Sequence, residues 1–251
     1  MDFSGRRALI TGAASGIGAA TARWLDAHGI EELVLVDLDR PALDLLDLSC
    51  KVRPIGGDVS DPSLWSALGR EPGRIDLAVI NAGIAANSPI VDTDISAWRK
   101  VMSVNLDGTF LALRTALRAM KRAGSGSVVM TASVSGIKAH PATSAYSASK
   151  AAVIQLARVA ALEAAQYGVR VNAIAPGGVD TAIWDGEPFF ADMIARLGSR
   201  DAAIAELGRQ GAPVGRFATA DEIAAQIGFL LSDMAVNITG TTMVSDGGVT
   251  L

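Results

Sequence analysis

The sequence predicts an α/β fold, a doubly wound parallel sheet of about seven strands with helices on both faces. Short apolar runs alternate with helix-like segments along all 251 residues, the pattern that builds parallel sheets through βαβ crossovers. The first run opens into a glycine-rich turn followed by an Ala-rich helical stretch, which is the context of a phosphate-binding loop. Polar residues with chemical potential recur at the C-terminal ends of the runs, where open α/β sheets bind ligands. A hydrophobic content of 50% fits one globular unit, residues 1–251, with a sizeable core. No repeat, linker or low-complexity stretch marks an internal boundary.

The elements follow in order. Ala8–Ile10 reads as the first buried strand. After Thr11 the chain turns through Gly12-Ala13-Ala14-Ser15-Gly16-Ile17-Gly18 into the helical stretch Ala19 to His28. Glycine permits a tight turn and lets a pyrophosphate approach free N–H groups at a helix N-terminus. The spacing G-x-x-x-G-x-G departs from the G-x-G-x-x-G fingerprint, and a plain tight turn is the alternative. Leu33–Val36 is the second strand. Asp37 at its end is placed to accept both hydroxyls of an adenosine ribose and to repel a 2′-phosphate. That argues for NAD over NADP, with Arg40 as the residue that softens the preference; the bland alternative is a cap for a helix over Asp39 to Leu48.

Val52–Ile55 is the third strand, and Pro62 to Arg74 after it is a short helix interrupted by Pro72-Gly73. Leu77–Ile80 leads to Asn81, Val128–Thr131 to Ser133, and Val169–Ala175 to Pro176. Between them lie the helical stretches Trp98 to Lys121 and Ala145 to Glu163. Asp221 to Leu231 is the last helix and Thr242–Val244 the last strand.

On the stretch from Ala145 to Glu163, Tyr146 and Lys150 stand four apart and so share one helix face. A free tyrosine ionises near pH ~10, and acid/base work near neutrality needs about 4 kcal/mol of lowering. A positive charge at ~4 Å in an effective dielectric of ~20 supplies about that much. The bland alternative is a half-buried tyrosine beside a solvated lysine.

Taken together, these residues resemble the short-chain dehydrogenase/reductase family over nearly the whole chain. Thr11-Gly12-x-x-x-Gly16-Ile17-Gly18 is similar to that family's nucleotide loop, and Asp58-Val59 to the pair that contacts adenine. Asn81-Ala82-Gly83 is similar to its Asn-Asn-Ala-Gly motif, with Ile80 replacing the first Asn. Asn105, Ser133, Tyr146 and Lys150 match the catalytic tetrad, and Ser133 precedes Tyr146 by the family's 13 residues. Pro176-Gly177 and Val179-Asp180-Thr181 resemble the segment at the nicotinamide end.

The resemblance implies a Rossmann-like fold and an NAD-dependent interconversion of a secondary alcohol and a ketone. It implies a cofactor site of Gly12, Ser15, Gly16, Ile17, Gly18, Asp37, Asp58, Val59, Asn81, Ala82, Gly83, Tyr146, Lys150, Pro176, Gly177, Val179 and Thr181. Tyr146 would exchange the substrate proton. Lys150 would hold the nicotinamide ribose and, with the cationic ring, lower the phenol's pKa. Ser133 would orient the substrate oxygen, and Asn105 would anchor a water of the proton relay. Alternatives from the residues alone are a turn serine at Ser133, a backbone-bonded amide at Asn105 and a helix cap at Thr181. Similar proteins commonly form homotetramers through Trp98 to Lys121 and Ala145 to Tyr167; a homodimer is the lesser expectation.

The resemblance also implies a substrate lid at about 182–212. Its Trp184, Phe189, Phe190, Met193, Ile194 and Leu197 form either an apolar pocket, with Trp184 at the substrate, or a helix packed on its own domain or a neighbour. Asp185, Glu187 and Asp192 precede its first base, Arg196, so a neutral, apolar or cyclic substrate is expected. The alternatives are an NADPH-dependent 3-oxoacyl thioester reductase and a non-catalytic dinucleotide-binding regulator. A net charge of −4 offers no basic patch for nucleic acid. No signal-peptide pattern opens the chain and no apolar run approaches ~18 residues, so a cytoplasmic location without a membrane partner is expected. Cys50 is the single cysteine, and two histidines, His28 and His140, without a Cys/His cluster make a metal unexpected.

Overall fold

The computed structural model describes residues 1–70 and 73–251. In chain order the elements are β1 (Arg7–Thr11), α1 (Gly16–Ala27), β2 (Glu32–Asp37), α2 (Arg40–Asp44), β3 (Lys51–Gly56), α3 (Pro62–Arg70) and β4 (Leu77–Ile80). There follow α4 (Ile95–Met102), α5 (Thr109–Ala123), β5 (Gly126–Thr131), α6 (Ser144–Ala164), β6 (Val169–Pro176) and β7 (Val179–Asp180). The chain ends through α7 (Pro188–Leu197), α8 (Arg200–Gly211), β8 (Ala218–Thr219), α9 (Ala220–Leu231) and β9 (Thr242–Ser245).

Seven strands pair in parallel in the order β3-β2-β1-β4-β5-β6-β9. All seven expected strands are present, each within a residue or two of its predicted bounds. Successive strand residues point to opposite faces, and both faces are covered, so the strands read as continuous apolar runs. Leu9, Val34, Ala78 and Val128 face Leu111, Ala112 and Ala116 of α5 and Ala157 and Ala161 of α6. Ala8, Ile10, Leu33, Leu35 and Leu77 face Ala22 and Leu25 of α1 and Ile223 and Ile227 of α9. Pro54 has no N–H to give a ladder, and it lies on β3, an edge strand.

The strand order reverses between β1 and β4. Thr11 is in register with both Val36 and Ile80, so the three strands end level. Gly12, Asp37 and Asn81 therefore open onto one crevice at the switch point, where such sheets bind ligands.

Three expectations are corrected. The helix foreseen over Asp39 to Leu48 is the single short α2, capped by Asp39, which accepts from the Ala42 N–H at 3.1 Å. Leu45 beyond it is exposed, and Leu46 and Leu48 pack on the core from the irregular chain that follows. The stretch from Trp98 to Lys121 is not uniform: a π-helical segment, Ser103–Gly108, joins α4 to α5. Gly108 closes that segment, and only glycine fits there, since a Cβ would meet Val59 Cγ2 at 2.7 Å. A small second parallel pair, β7 with β8, was not foreseen. The short third helix ends at Arg70 as α3; the Pro72 interruption lies outside the described residues.

Two devices seat α9 against the sheet. Thr219 and Glu222 form a reciprocal capping box at its start. Arg170 donates to the carbonyls of Leu230 (2.7 Å), Leu231 (3.1 Å) and Ser232 (3.0 Å) at its end. Where α9 crosses α1, the Trp24 indole, itself stacked on His28 at 3.7 Å, fills the space beside Gly228. A Cβ on Gly228 would lie 2.1 Å from the indole. Gly228→Ala is accordingly expected to destabilise the fold by about 1–3 kcal/mol through overpacking. Urea unfolding checks this, and an unchanged midpoint would refute the packing account.

Candidate active site

The glycine turn is shaped by its neighbours. Gly12 has φ +64°, and a Cβ there would come within 2.8 Å of Ala82 Cα. A Cβ on Gly18 would stand 2.0 Å from the Gly12 carbonyl. Thr11 Oγ1 accepts from the N–H groups of Asn81 (2.9 Å) and Ala82 (3.1 Å), and Asn81 Nδ2 donates to the Gly12 carbonyl at 3.2 Å. These bonds tie the end of β1 to the end of β4. Ile80, where the family has Asn, is simply buried in the sheet.

At the N-terminus of α1, Ser15 is extended and its side chain makes no capping bond, and the first turn holds no acid. The helix therefore presents open N–H groups and an uncancelled positive end. A pyrophosphate fits such a terminus.

Asp37 stands beside it. Its Oδ2 accepts from the Ala14 N–H at 2.9 Å and its Oδ1 from the Asp39 N–H at 3.0 Å. A carboxylate has about four acceptor positions, so the group is fixed in place and keeps capacity for two further donors. Arg40 turns to Asp44, with Nε 3.1 Å from Oδ2. Asp58 accepts from the Ser60 hydroxyl (2.7 Å) and N–H (2.9 Å) and faces Lys100 at 3.4 Å. The Ser60 bonds first, and the lysine second, hold its carboxyl below the usual range. Val59 is buried, and its carbonyl accepts from Trp65 Nε1 at 2.7 Å.

The helix α6 brings Tyr146 and Lys150 together as its spacing predicted. Lys150 Nζ lies 5.7 Å from the Tyr146 ring centroid. Lys150 is only 4% exposed, and its ammonium donates to the Thr131 carbonyl at 2.9 Å, leaving two protons for other partners. Burial lowers its pKa to about 8. Burial also raises the pKa of Tyr146, opposed by a hydrogen bond from the Ser133 side chain. In the ligand-free chain, loss of solvent is the leading influence on the phenol and the Ser133 bond is the one that opposes it.

Ser133 follows β5 directly, is buried, and accepts from the Ser135 N–H at 3.1 Å as the cap of a short 3₁₀ turn. Its turn role and its place beside Tyr146 coexist. Asn105, within the π-helical segment, is fully buried. Its Oδ1 accepts from the Ile84 N–H (2.8 Å), and its Nδ2 donates to the Ile84 carbonyl (2.9 Å) and to Ser149 Oγ (3.1 Å). Both amide protons are thus committed, and the backbone-bonded alternative describes its side chain. Gly83 leaves room for the cluster: a Cβ there would be 3.3 Å from both Lys150 Nζ and Asn105 Oδ1.

Gly177 continues β6 through a bond from its N–H to the Ser245 carbonyl at 2.9 Å, extending the line begun by Pro176. Thr181 is extended, and its hydroxyl does not cap the turn that follows. Its Cγ2 lies 3.3 Å from where a Gly16 Cβ would be, so the two loops meet. Val179 is buried and its carbonyl takes the Trp184 indole N–H at 2.8 Å.

The segment 182–212 holds a 3₁₀ turn, α7 and α8. Trp184 stacks on Phe217 with centroids 5.3 Å apart, while Phe190, Ala203 and Ile204 form a small buried cluster with Met193 and Ile194 around them. Most of the apolar residues assigned to a substrate pocket, Trp184 among them, therefore pack on one another; Phe189 and Leu197 stay exposed. His140 is exposed, and burial together with Asp26 pushes the Cys50 thiol up to about 12. Among the described residues no group of His, Cys, Asp or Glu is arranged to hold a metal ion, and no helix is long and apolar enough to cross a membrane. Sequence reasoning missed Thr131, Ile84 and Ser149, which act through carbonyls, an amide or a bystander hydroxyl and so carry no motif.

The fold and this crevice define a dinucleotide-binding α/β protein. A family model described as enoyl-(acyl carrier protein) reductase matches residues 12–250. The chain is 40% identical over 257 residues to cis-4-hydroxycyclohexanecarboxylate dehydrogenase of Sinomonas cyclohexanicum, covering 99% of this chain and 98% of that one. It is 39% identical over 259 residues to levodione reductase of Leifsonia aquatica, covering 98% and 94%. The crystal structure of a short-chain dehydrogenase/reductase from Mycobacterium marinum superposes with a TM-score of 0.87 at 32% identity, covering 99% and 97%. The chain belongs to the short-chain dehydrogenase/reductase family, oxidoreductases that use a nicotinamide dinucleotide.

The buried ammonium has a measurable signature. An unfolded lysine titrates near ~10.4, so the folded chain binds this proton less tightly. Its burial penalty is in full force below pH 8 and is relieved as pH rises from 8 toward the unfolded value. Relative to Lys150→Met, the ligand-free wild type is expected to gain about 2 kcal/mol of stability between pH 7 and pH 10. Denaturant unfolding of both proteins at each pH checks it; a pH-independent difference would refute the assignment.

Proposed function

We propose that this chain is an NAD-dependent dehydrogenase that interconverts a neutral, apolar or cyclic secondary alcohol and its ketone. The observation that carries the reading is the pair of half-buried Tyr146 and buried Lys150 with Ser133 beside it, set next to the open N-terminus of α1.

The chain's own groups divide the work. The N–H groups at Ser15, Gly16, Ile17 and Gly18 bind the pyrophosphate, and the free acceptor positions of Asp37 take the adenosine ribose hydroxyls. A 2′-phosphate there would meet a fixed negative charge, and Arg40 is engaged with Asp44. Asp58 and Val59 border the adenine, and Gly12 with Asn81, Ala82 and Gly83 forms the floor between the strands. The two spare protons of Lys150 hold the nicotinamide ribose, framed by Pro176, Gly177, Val179 and Thr181. When bound, NAD supplies the hydride acceptor and a positive charge beside the phenol.

That charge adds to the lysine's and to the Ser133 hydrogen bond, which together oppose the upward push of burial on Tyr146. Tyr146 Oη takes the proton of the substrate hydroxyl, and Ser133 Oγ–H donates to the same oxygen as its charge develops. Asn105 serves by holding Ile84 and Ser149, which fixes the loop after β4 against α6.

The segment 182–212 acts as a lid, and its opening acid Glu187, with Asp185 already paired to Arg200, favours an uncharged ligand at that end. The name of the Sinomonas relative supports a ring-bearing substrate; the ring rather than its carboxylate is what we carry over. Exposed Phe110, Val159 and Leu162 along α5 and α6 support assembly through these helices into a homotetramer, or at least a homodimer.

Two variants test the reading, with turnover followed by NADH absorbance over cyclic secondary alcohols of graded size. Tyr146→Phe is expected to lower turnover by about 10²–10⁴ with NAD affinity nearly unchanged, and an active variant would remove Tyr146 from the role. Asp37→Ala is expected to weaken NAD by about tenfold and to narrow its advantage over NADP. A wild type that prefers NADP would overturn the cofactor assignment.

A further inference from the structure

Arg200 opens α8, one residue after the cap Ser199, whose hydroxyl accepts from the Ala202 N–H at 3.1 Å. Its guanidinium leaves the helix and reaches back to the strap 180–185. Nη1 donates to Asp180 Oδ1 at 2.7 Å, Nε to Asp185 Oδ1 at 2.9 Å, and Nη2 to the Thr181 carbonyl at 3.0 Å. The same group lies 5.9 Å from the Phe190 ring centroid. Three donor directions are used at once, a fork that lysine cannot reproduce from a single ammonium.

The strap needs such a clamp. Its residues are exposed or half-buried, with buried Val179 before it and Trp184 inside it as apolar anchors. Segments with few buried contacts open at low free energy. Thr181 is fastened through its backbone carbonyl only, so its side chain stays open while its methyl rests against Gly16.

We infer that Arg200 is a positioning residue for the dinucleotide: by clamping Asp180, Thr181 and Asp185 onto α8 it fixes the Thr181 side chain against the Gly16 loop. This rests on the reading of Thr181 as a contact of the nicotinamide end. It also assigns the arginine's charge. Arg200 is spent on two carboxylates and is not a receptor for a substrate anion, in keeping with an uncharged substrate. Because the arginine is 34% exposed and its partners more so, the clamp adds little to global stability. Its effect is local order.

The test compares wild type, Arg200→Met, Arg200→Lys, Thr181→Val and the double variant Arg200→Met/Thr181→Val. NAD affinity is measured by titration calorimetry, and backbone order at 180–187 by hydrogen exchange. Arg200→Met is expected to weaken NAD about tenfold, to speed exchange of the strap by about as much, and to leave the unfolding midpoint nearly unmoved. Arg200→Lys recovers only part of the affinity. The double variant binds NAD no more weakly than the weaker single variant, since both act through one contact. Unchanged exchange in Arg200→Met, or losses that multiply in the double variant, would overturn the proposal. A wild type that fails to bind NAD sinks the functional reading instead, and exchange still decides whether Arg200 orders the strap.

Discussion

An ammonium held out of water must find partners or lose its proton, and the arrangement around Lys150 is organised by that requirement. One carbonyl, Thr131 O, is supplied from the end of β5 at 2.9 Å. The remaining protons face the crevice. The helix that carries the lysine approaches this closely because Gly136 lacks a side chain: a Cβ on Gly136 would stand 2.7 Å from the Lys150 carbonyl carbon. Asn105 then closes the gap from the other side, gripping Ile84 and Ser149 together. The ends of β4 and β5, the π-helical segment and α6 are thus arranged around a single desolvated charge.

The same desolvation acts on Tyr146, and in the opposite sense for function. Burial disfavours both ionic forms, the charged lysine and the phenolate alike. Proton exchange in our reading is therefore conditional on a second cation arriving beside the phenol. A lysine with a pKa of about 8 still carries its charge near neutral pH, so in that reading it is the phenol alone that waits for the second cation. The negative group on the far side of the crevice, Asp37, is handled differently: two backbone N–H groups fix it, one of them from the glycine turn itself. The Asp37 carboxylate and the glycine turn are consequently parts of one hydrogen-bonded unit.

Much of this was legible in the residues. Doubly covered strands announce themselves as apolar runs, so all seven were found, and level strand ends put Gly12, Asp37 and Asn81 on one edge. The four-residue interval between Tyr146 and Lys150 needs only helix geometry. What stayed hidden depends on contacts distant in sequence. The glycine that ends the π-helical segment Ser103–Gly108 is matched to Val59, some 49 residues earlier by number, and α2 stops where Leu45 turns outward while Leu46 and Leu48 return to the core. The upward push on the Tyr146 pKa in the ligand-free chain was not legible, because spacing reveals a neighbouring charge but not the loss of water around both groups. For Trp184 the residues left a pocket and a packed helix both open, and the partners of its indole, Val179 and Phe217, carry no motif.

One quiet residue has a practical consequence. Cys50 is the sole thiol of the chain, and burial with a nearby carboxylate keeps it protonated far above neutral pH. Thiolate-seeking reagents are then nearly blind to the native molecule. A cysteine introduced at an exposed position would take a fluorophore or spin label selectively, so movements of this protein are open to spectroscopy without first engineering a cysteine-free background.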